Sequence, residues 1–466
     1  MTELGERVTA LAAQVRELEA RLNRNSDSSN SSRPPSSDPP WAPKQARHKP
    51  SGRKRGGQGG HPGHPRQAVA REQVDERHEY RPRQCEHCHA SFPSDLPLEE
   101  KAWVHQVFEL PEVRPHVSEH VRRACRCPQC GRKTWAPLPP GVSPSGYGPR
   151  AHATTAWLTG KGRLSRRSAR ECLRELFHLP VALGTVSKLE RRVSAVLAAP
   201  YDQVREAVRA EPVLHADETR WREGGTHPWL WVLASARYCL LTLTDRRNRE
   251  ALTSILGQPR PHRILISDRY TVYGHVDAEQ RQYCWAHLDR DFLAVAQSQD
   301  PVAFLGRYCL EEVDRLFAAW HRFREGGLDR AGLAEKLAPV QQRMQTWLSW
   351  GAAAGGKKLA GFFGNLLEHW ASLWVFLRVE GVEPTNNRAE RLLRPAVVWR
   401  KTSYGTQSEA GRRCTERMLT VSGTLGLQGR SVFAFLLECC KAAIAAAAAP
   451  TLLVERMMSA PLALPP

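Results

Sequence analysis

Three observations predict a multidomain chain built around an α/β core. After residue 211, strand-like apolar runs recur, and two of them end in an acid. Between residues 85 and 130 stand two Cys-x-x-Cys pairs. The first 24 residues carry a leucine-rich heptad pattern, set apart by a stretch rich in Ser and Pro. Together they predict an N-terminal coiled coil, a zinc-ribbon-like β domain, a helical segment that could be a helix-turn-helix, and an α/β domain with an all-helical insertion.

The 466 residues contain 67 Lys+Arg against 48 Asp+Glu, a formal net charge of +19. That excess favours a polyanionic partner, nucleic acid first and an anionic membrane surface second. The most apolar stretch, Ala442 to Val454, is too short to span a bilayer and contains Pro450. Glu3, Glu6 and Arg7 lie inside the heptads, so no secretory leader is expected. Twelve cysteines without disulfide density point to metal in a reducing compartment, hence a cytoplasmic protein.

Residues 1–24 place Leu4, Val8, Leu11, Val15, Leu18 and Leu22 at alternating steps of four and three. Val at a with Leu at d favours a two-stranded parallel coiled coil, and a homodimer or higher oligomer. An amphipathic helix packed on its own chain is the alternative. Residues 25–70 read as a basic linker with almost nothing to bury. Its second half holds Arg53, Lys54 and Arg55 near GGQGGHPGHPR. Such an arm can neutralise DNA phosphates without reading sequence, or it can simply be solvated.

Residues 71–147 form the expected zinc-binding domain. Cys85, Cys88, Cys127 and Cys130 could each sit on a tight turn and offer thiolates to structural Zn2+. VHQVFEL and VSEHVRRACRC alternate like strands and would be the arms of the ribbon. Cys125, His87 and His89 lie close enough to replace a cysteine ligand, and reduced buried cysteines are the metal-free alternative. In residues 148–205, two helical stretches flank Pro180, and the first is rich in arginine. They fit a helix-turn-helix whose second helix starts near Gly184, or a plain helical hairpin.

Residues 206–436 change to β. EPVLHADETRW, WLWVLAS, YCLLTLT and HRILISDRY read as strands, DRRNREALTSIL as a helix, and YCWAHLDRDF as a strand entering a helix. This β-β-β-α-β-α-β order, with acids at the first and fourth strands, fits a ribonuclease H-like fold. Asp217 and Asp268 would then lie on neighbouring central strands. Residues 296–380 have Leu, Ala and Trp at helical spacing and form the insertion. After it, Asn386 and Asn387 can cap a helix that carries Glu390. Three convergent carboxylates suit two Mg2+ or Mn2+ ions, which activate an oxygen nucleophile and neutralise a leaving oxygen. Arg388, Arg391, Arg394, Arg400 and Lys401 follow closely and could hold a DNA backbone. Glu218, Asp245, Asp289 and Asp291 are rival acids, with Glu218 expected on the opposite face of its strand from Asp217. Residues 437–466 read as a helix and a tail.

In order along the chain, the short zipper, NSSRPPSSD, GGQGGHPGHPR, the two Cys-x-x-Cys pairs, HADETRW, SDRYTVYG, CWAH and NNRAERLLRPAVVWRKTSYGTQSE resemble the insertion sequence 66 family of bacterial transposases. The resemblance implies an acid-triad (DDE) enzyme in which Asp217, Asp268 and Glu390 match the first, second and third acids. It implies metal-dependent cleavage and strand transfer at the inverted repeats of a mobile element and into target DNA, in a nucleoid-associated oligomer, with possible accessory proteins. HLDRDF is less basic than the family's usual version, which puts a DNA contact at Asp289 in doubt. A zinc-containing DNA-binding protein that has lost the chemistry is the alternative.

Overall fold

The structure is a computed structural model that describes residues 66–99 and 103–454. The heptads, the basic arm with Arg53, Lys54 and Arg55, and the end of the C-terminal tail lie outside the described residues. The chain divides into two units, Gln45–Val113, and Arg114–Pro466 together with Met1–Lys44.

The smaller unit is held by turns and single side chains. Its Gln106 amide exchanges two hydrogen bonds with the Val69 backbone, at 2.9 and 3.0 Å. Among the described residues VHQVFEL pairs with no strand, and Trp103, Val107 and Leu110 are exposed. Alternation marks a strand only where one face is covered, and here neither face is. In the larger unit the stretch VSEHVRRACRC contributes only β1 (Ala124–Arg126), paired antiparallel with β2 (Lys133–Trp135).

Four helices come next: α1 (Pro149–Ala156), α2 (Arg166–Phe177), α3 (Leu183–Val196) and α4 (Ala198–Ala210). They do not stand apart as a separate module. Ala153, Val193, Leu197, Val204 and Val208 share one core with sheet residues Leu214, Trp231 and Leu240. The second helix of the predicted pair, α3, buries Val186, Leu189, Glu190 and Val193, so its inner face is already committed to the protein.

The sheet has the spatial order β5-β4-β3-β6-β7. β3 (Val213–Arg220), β4 (Trp229–Ala234) and β5 (Cys239–Thr244) form an antiparallel meander, and α5 (Arg249–Leu256) follows it. β6 (Ile264–Ser267) and β7 (Arg281–Tyr283) then add in parallel beyond β3. Side-chain alternation sorts β3 between two layers. Leu214 and Ala216 enter the core shared with the preceding helices. His215 and Asp217 must therefore face the other side.

α6 (Trp285–Ala296) leads into an insertion made of α7 (Phe304–Arg324), α8 (Arg330–Ala354), α9 (Lys357–Glu368) and α10 (Ala371–Arg378). The insertion returns to the sheet through polar bonds as well as packing. Gln282 of β7 donates to the Leu373 carbonyl at 3.2 Å and accepts from the Phe376 amide at 2.9 Å. Trp285 also donates to Leu373, at 2.8 Å. This docking delivers the chain to α11 (Asn387–Ser403), whose Ala389, Leu393 and Ala396 pack on Leu230, Val232 and Leu241 of the sheet.

α12 (Glu409–Leu427) covers the free edge of β5. Glu416, Thr420 and Thr424 follow at steps of four along one helix face. Their oxygens accept the amides of Leu243 (2.7 Å), Leu241 (2.9 Å) and Cys239 (3.1 Å). An edge strand that would otherwise offer unpaired donors is thereby closed. α13 (Val432–Ile444) packs back into the first core through Phe435 and Leu436.

Candidate active site

The parallel ladder between β3 and β6 pairs Val213 with Ile264, Leu214 with Leu265 and His215 with Ile266. Carrying that register two residues further sets Asp217 beside Asp268, which directly follows β6. Neighbouring strands lie about 4.8 Å apart, so two acids in register stand at a separation that shared cations can bridge. The carboxyl end of a parallel pair, where strands cease to bond, is also the usual crevice for a ligand in an open α/β sheet.

Asn386 closes that crevice from the third side. Its side-chain amide donates to the Ala216 carbonyl at 2.7 Å, just past the end of the ladder. Its Oδ1 meets His215 Nδ1 at 3.3 Å, and its backbone amide donates to Cys284 Sγ at 3.1 Å. Asn386 was expected to cap its helix, yet its side chain makes no capping bond. The buried Ala216 carbonyl needs a donor, and the Asn386 amide goes there instead. One residue thus ties the start of α11, and with it Glu390, to the strand that carries Asp217.

Asp217 feels the charges of the other acids. Burial raises the Asp217 carboxyl well above the usual carboxylate range, and the charges of Glu218, Asp268 and Glu390 raise it further. One oxygen of Asp217 accepts the Glu218 amide at 2.8 Å, and one of Asp268 accepts the Tyr270 amide at 3.0 Å. Glu218 is different. Burial and Asp268 raise it too, but Arg247 and the Tyr273 hydroxyl, which bond it, counter them. Arg247 is itself stacked on the rings of Trp229 and Tyr270. The rival acid on the opposite face of β3 is therefore neutralised by the protein.

The chain spends arginines freely on its other acids. Arg247 pairs with Glu218, Arg269 with Asp291, Arg388 with Glu383, and Arg412 with Glu223 and Asp245. Among the described residues, Asp217, Asp268 and Glu390 have no Lys or Arg partner, in a chain with 67 such residues. The ion-pair contact of Glu390 is His287, with Nδ1 3.6 Å from Oε1, and both atoms are buried without a hydrogen bond. Half-buried carboxylates that repel one another and lack a protein cation are a fitting donor set for hard divalent ions.

The structure separates the basic residues of α11. Arg391, Arg394 and Lys401 are exposed, while Arg388 pairs with Glu383 at 2.7 Å. Arg400 donates to Thr219 at 3.2 Å and to the Arg220 carbonyl, which fastens α11 to β3. Sequence reasoning gave all five the same role because spacing alone does not show which cations a fold consumes.

The two cysteine pairs take up the same local geometry. The Cys85 amide bonds the Ala90 carbonyl and the His89 amide bonds the Cys85 carbonyl, at 2.9 and 3.0 Å. The Cys127 amide bonds Arg132 and the Gly131 amide bonds Cys127, both at 2.9 Å. His89 (φ 57°) holds the left-handed position that Gly131 (φ 66°) holds in the other turn. Backbone amides lower the thiol pKa in both, those of Cys88 and His87 at Cys85, and those of Cys130 and Gln129 at Cys127. Such turns favour thiolates, the form that binds metal.

The family model for the transposase IS66 family matches residues 147–413, more than half of the chain. Residues 2–67 match a family of unknown function, DUF6444. The chain is also similar to uncharacterized protein y4hP of Sinorhizobium fredii (strain NBRC 101917 / NGR234), at 25% identity over 360 residues. That alignment covers 68% of this chain and 63% of the relative. Among the described residues no helix is long and apolar enough to cross a membrane.

Proposed function

We propose that this chain, which belongs to the transposase IS66 family, cuts and joins DNA at the ends of an insertion sequence with Asp217, Asp268 and Glu390 as its metal-holding acids. The observation that carries the reading is the set of three converging carboxylates left without a Lys or Arg partner in a strongly basic chain. The strand order, with two antiparallel and two parallel additions, supports a ribonuclease H-like core interrupted by a helical insertion.

Asp217, Asp268 and Glu390 would hold Mg2+ or Mn2+. When bound, these ions supply a more acidic oxygen nucleophile and a stabilised leaving oxygen. The protein's own part is positioning. The Glu218 and Tyr270 amides each fix one oxygen of an aspartate and leave the rest of each carboxylate open. Asn386 holds the start of α11, with Glu390 in its first turn, against β3. Arg391, Arg394 and Lys401 on the exposed side of α11 are placed to grip phosphates leading into the site. Each cysteine turn is proposed as a zinc-binding knuckle, with a structural role.

Cleavage and joining of DNA bearing the element's ends, with Mg2+ or Mn2+, tests the reading. Wild type should do both. Asp217→Asn, Asp268→Asn and Glu390→Gln should bind the ends yet do neither. A wild-type chain that binds but never reacts would be a DNA-binding derivative, and variants that react as well as wild type would remove these acids from the chemistry.

A further inference from the structure

Beside the acid triad lies a nitrogen donor that the carboxylate chemistry does not use. His287 stands in the first turn of α6, directly after β7. Its Nδ1 is buried, makes no hydrogen bond, and lies 3.6 Å from Glu390 Oε1, which is also buried and unbonded. That separation is too long for a hydrogen bond. Neighbouring donors bound at about 2.1 Å to an octahedral ion stand about 3.0 Å apart, so a closure of about half an ångström would let both atoms hold one cation. Cys284 Sγ shares the cluster, all three donor atoms lying within 4.8 Å of one another. The Cys284 sulfur, however, accepts the Asn386 amide at 3.1 Å. His287 and Glu390 are the pair whose facing atoms make no hydrogen bond.

We propose that His287 is a further metal ligand, sharing with Glu390 the cation that this acid holds; the inference rests on the metal-site reading above. An imidazole ligand changes the selectivity of a site otherwise made of oxygens. Oxygen donors suit Mg2+, whereas adding nitrogen favours Mn2+ and later transition ions. The chain should therefore bind Mn2+ more tightly than its three carboxylates alone would allow. His287→Gln should weaken Mn2+ binding about tenfold while changing Mg2+ binding by less than about threefold.

The test uses the full chain with Mn2+ as the probe. Pulsed electron paramagnetic resonance of bound Mn2+ should show modulation from a directly coordinated imidazole nitrogen. His287→Gln should abolish that modulation while still binding Mn2+, and Glu390→Gln and Asp217→Asn should lower Mn2+ occupancy. Mn2+ bound in wild type without nitrogen coupling, or coupling that survives in His287→Gln, overturns the assignment of His287 and leaves the acid site standing. A chain in which Asp217→Asn binds Mn2+ as wild type does overturns both. Circular dichroism of His287→Gln checks its fold, and His287→Asn provides a second variant that also lacks the ring.

Discussion

The acid site and the cysteine turns hold their charged groups in opposite ways. Asp217, Asp268 and Glu390 come from β3, the end of β6 and α11, and 173 positions separate the first from the last. They are brought together by two large cores that bury Trp231, Tyr273, Trp285 and Phe376 almost completely. The fold forces the acids into mutual repulsion, and hydrophobic burial elsewhere offsets that cost. The cysteine turns have no such support. Each is made by two local backbone bonds, and Trp135 of β2, which follows the second turn, remains exposed. A preformed site tolerates loss of its ion, whereas a locally folded knuckle depends on it.

The largest expected difference follows from that contrast. Cys127→Ser should lower the bound zinc per chain, and limited proteolysis should then cut within residues 114–147 while residues 149–454 stay resistant. Structural zinc contributes about 10 kcal/mol or more where a small region folds around it. Unchanged zinc content would dissolve the comparison. Next in size is Asn386→Ala. It leaves the buried Ala216 carbonyl and His215 without their partner, and denaturant unfolding should show a loss of about 2–3 kcal/mol. A change below about 0.5 kcal/mol would mean that α11 is placed by packing alone.

A pH effect of similar size comes from His215. Burial, the largest cause, pushes its pKa down to about 4, against about 6.5 unfolded. The unfolded chain therefore binds the proton more readily, and stability is full above about pH 6.5 and falls as pH drops toward 4, by up to about 3 kcal/mol. Unfolding followed at several pH values should show this slope, and His215→Gln should flatten it. A slope equal in the variant would assign it to other groups. The smallest effect belongs to His89→Gly. The residue holds φ 57° where the sister turn has glycine, so zinc content should stay constant and the turn should gain about 0.5–1 kcal/mol. Loss of zinc would make His89 a ligand instead.

Much of the α/β region was legible because its signals are local. Apolar runs that end in an acid mark Asp217 and Asp268, and period two puts Glu218 opposite Asp217. The helical spacing of residues 296–380 announces the insertion. What stayed hidden depends on tertiary partners. Nothing in NNRAER says that Asn386 bonds a strand 170 residues away and not its own helix. Arg400 and Arg388 look like free cations until the β3 carbonyl and Glu383 are in place. His287 needed the structure to set it against Glu390, since CWAH alone names no partner for it. Glu416, Thr420 and Thr424 did leave a readable trace, a polar stripe at steps of four on a helix that is otherwise buried there. Of the two expected ribbon arms, VSEHVRRACRC forms a strand only over Ala124–Arg126, where β2 pairs with it, and VHQVFEL forms none among the described residues. Alternating sequence forms a strand only when another strand is there to pair with it.

The most direct test of the central claim is thermal unfolding of the full chain with and without Mn2+, comparing wild type with Asp217→Asn. If the three acids form a repelling site built for cations, Asp217→Asn without metal should unfold at a higher temperature than wild type, and Mn2+ should raise the wild-type transition but barely move the variant's. A wild type indifferent to Mn2+, or a variant that gains as much as wild type, would contradict it.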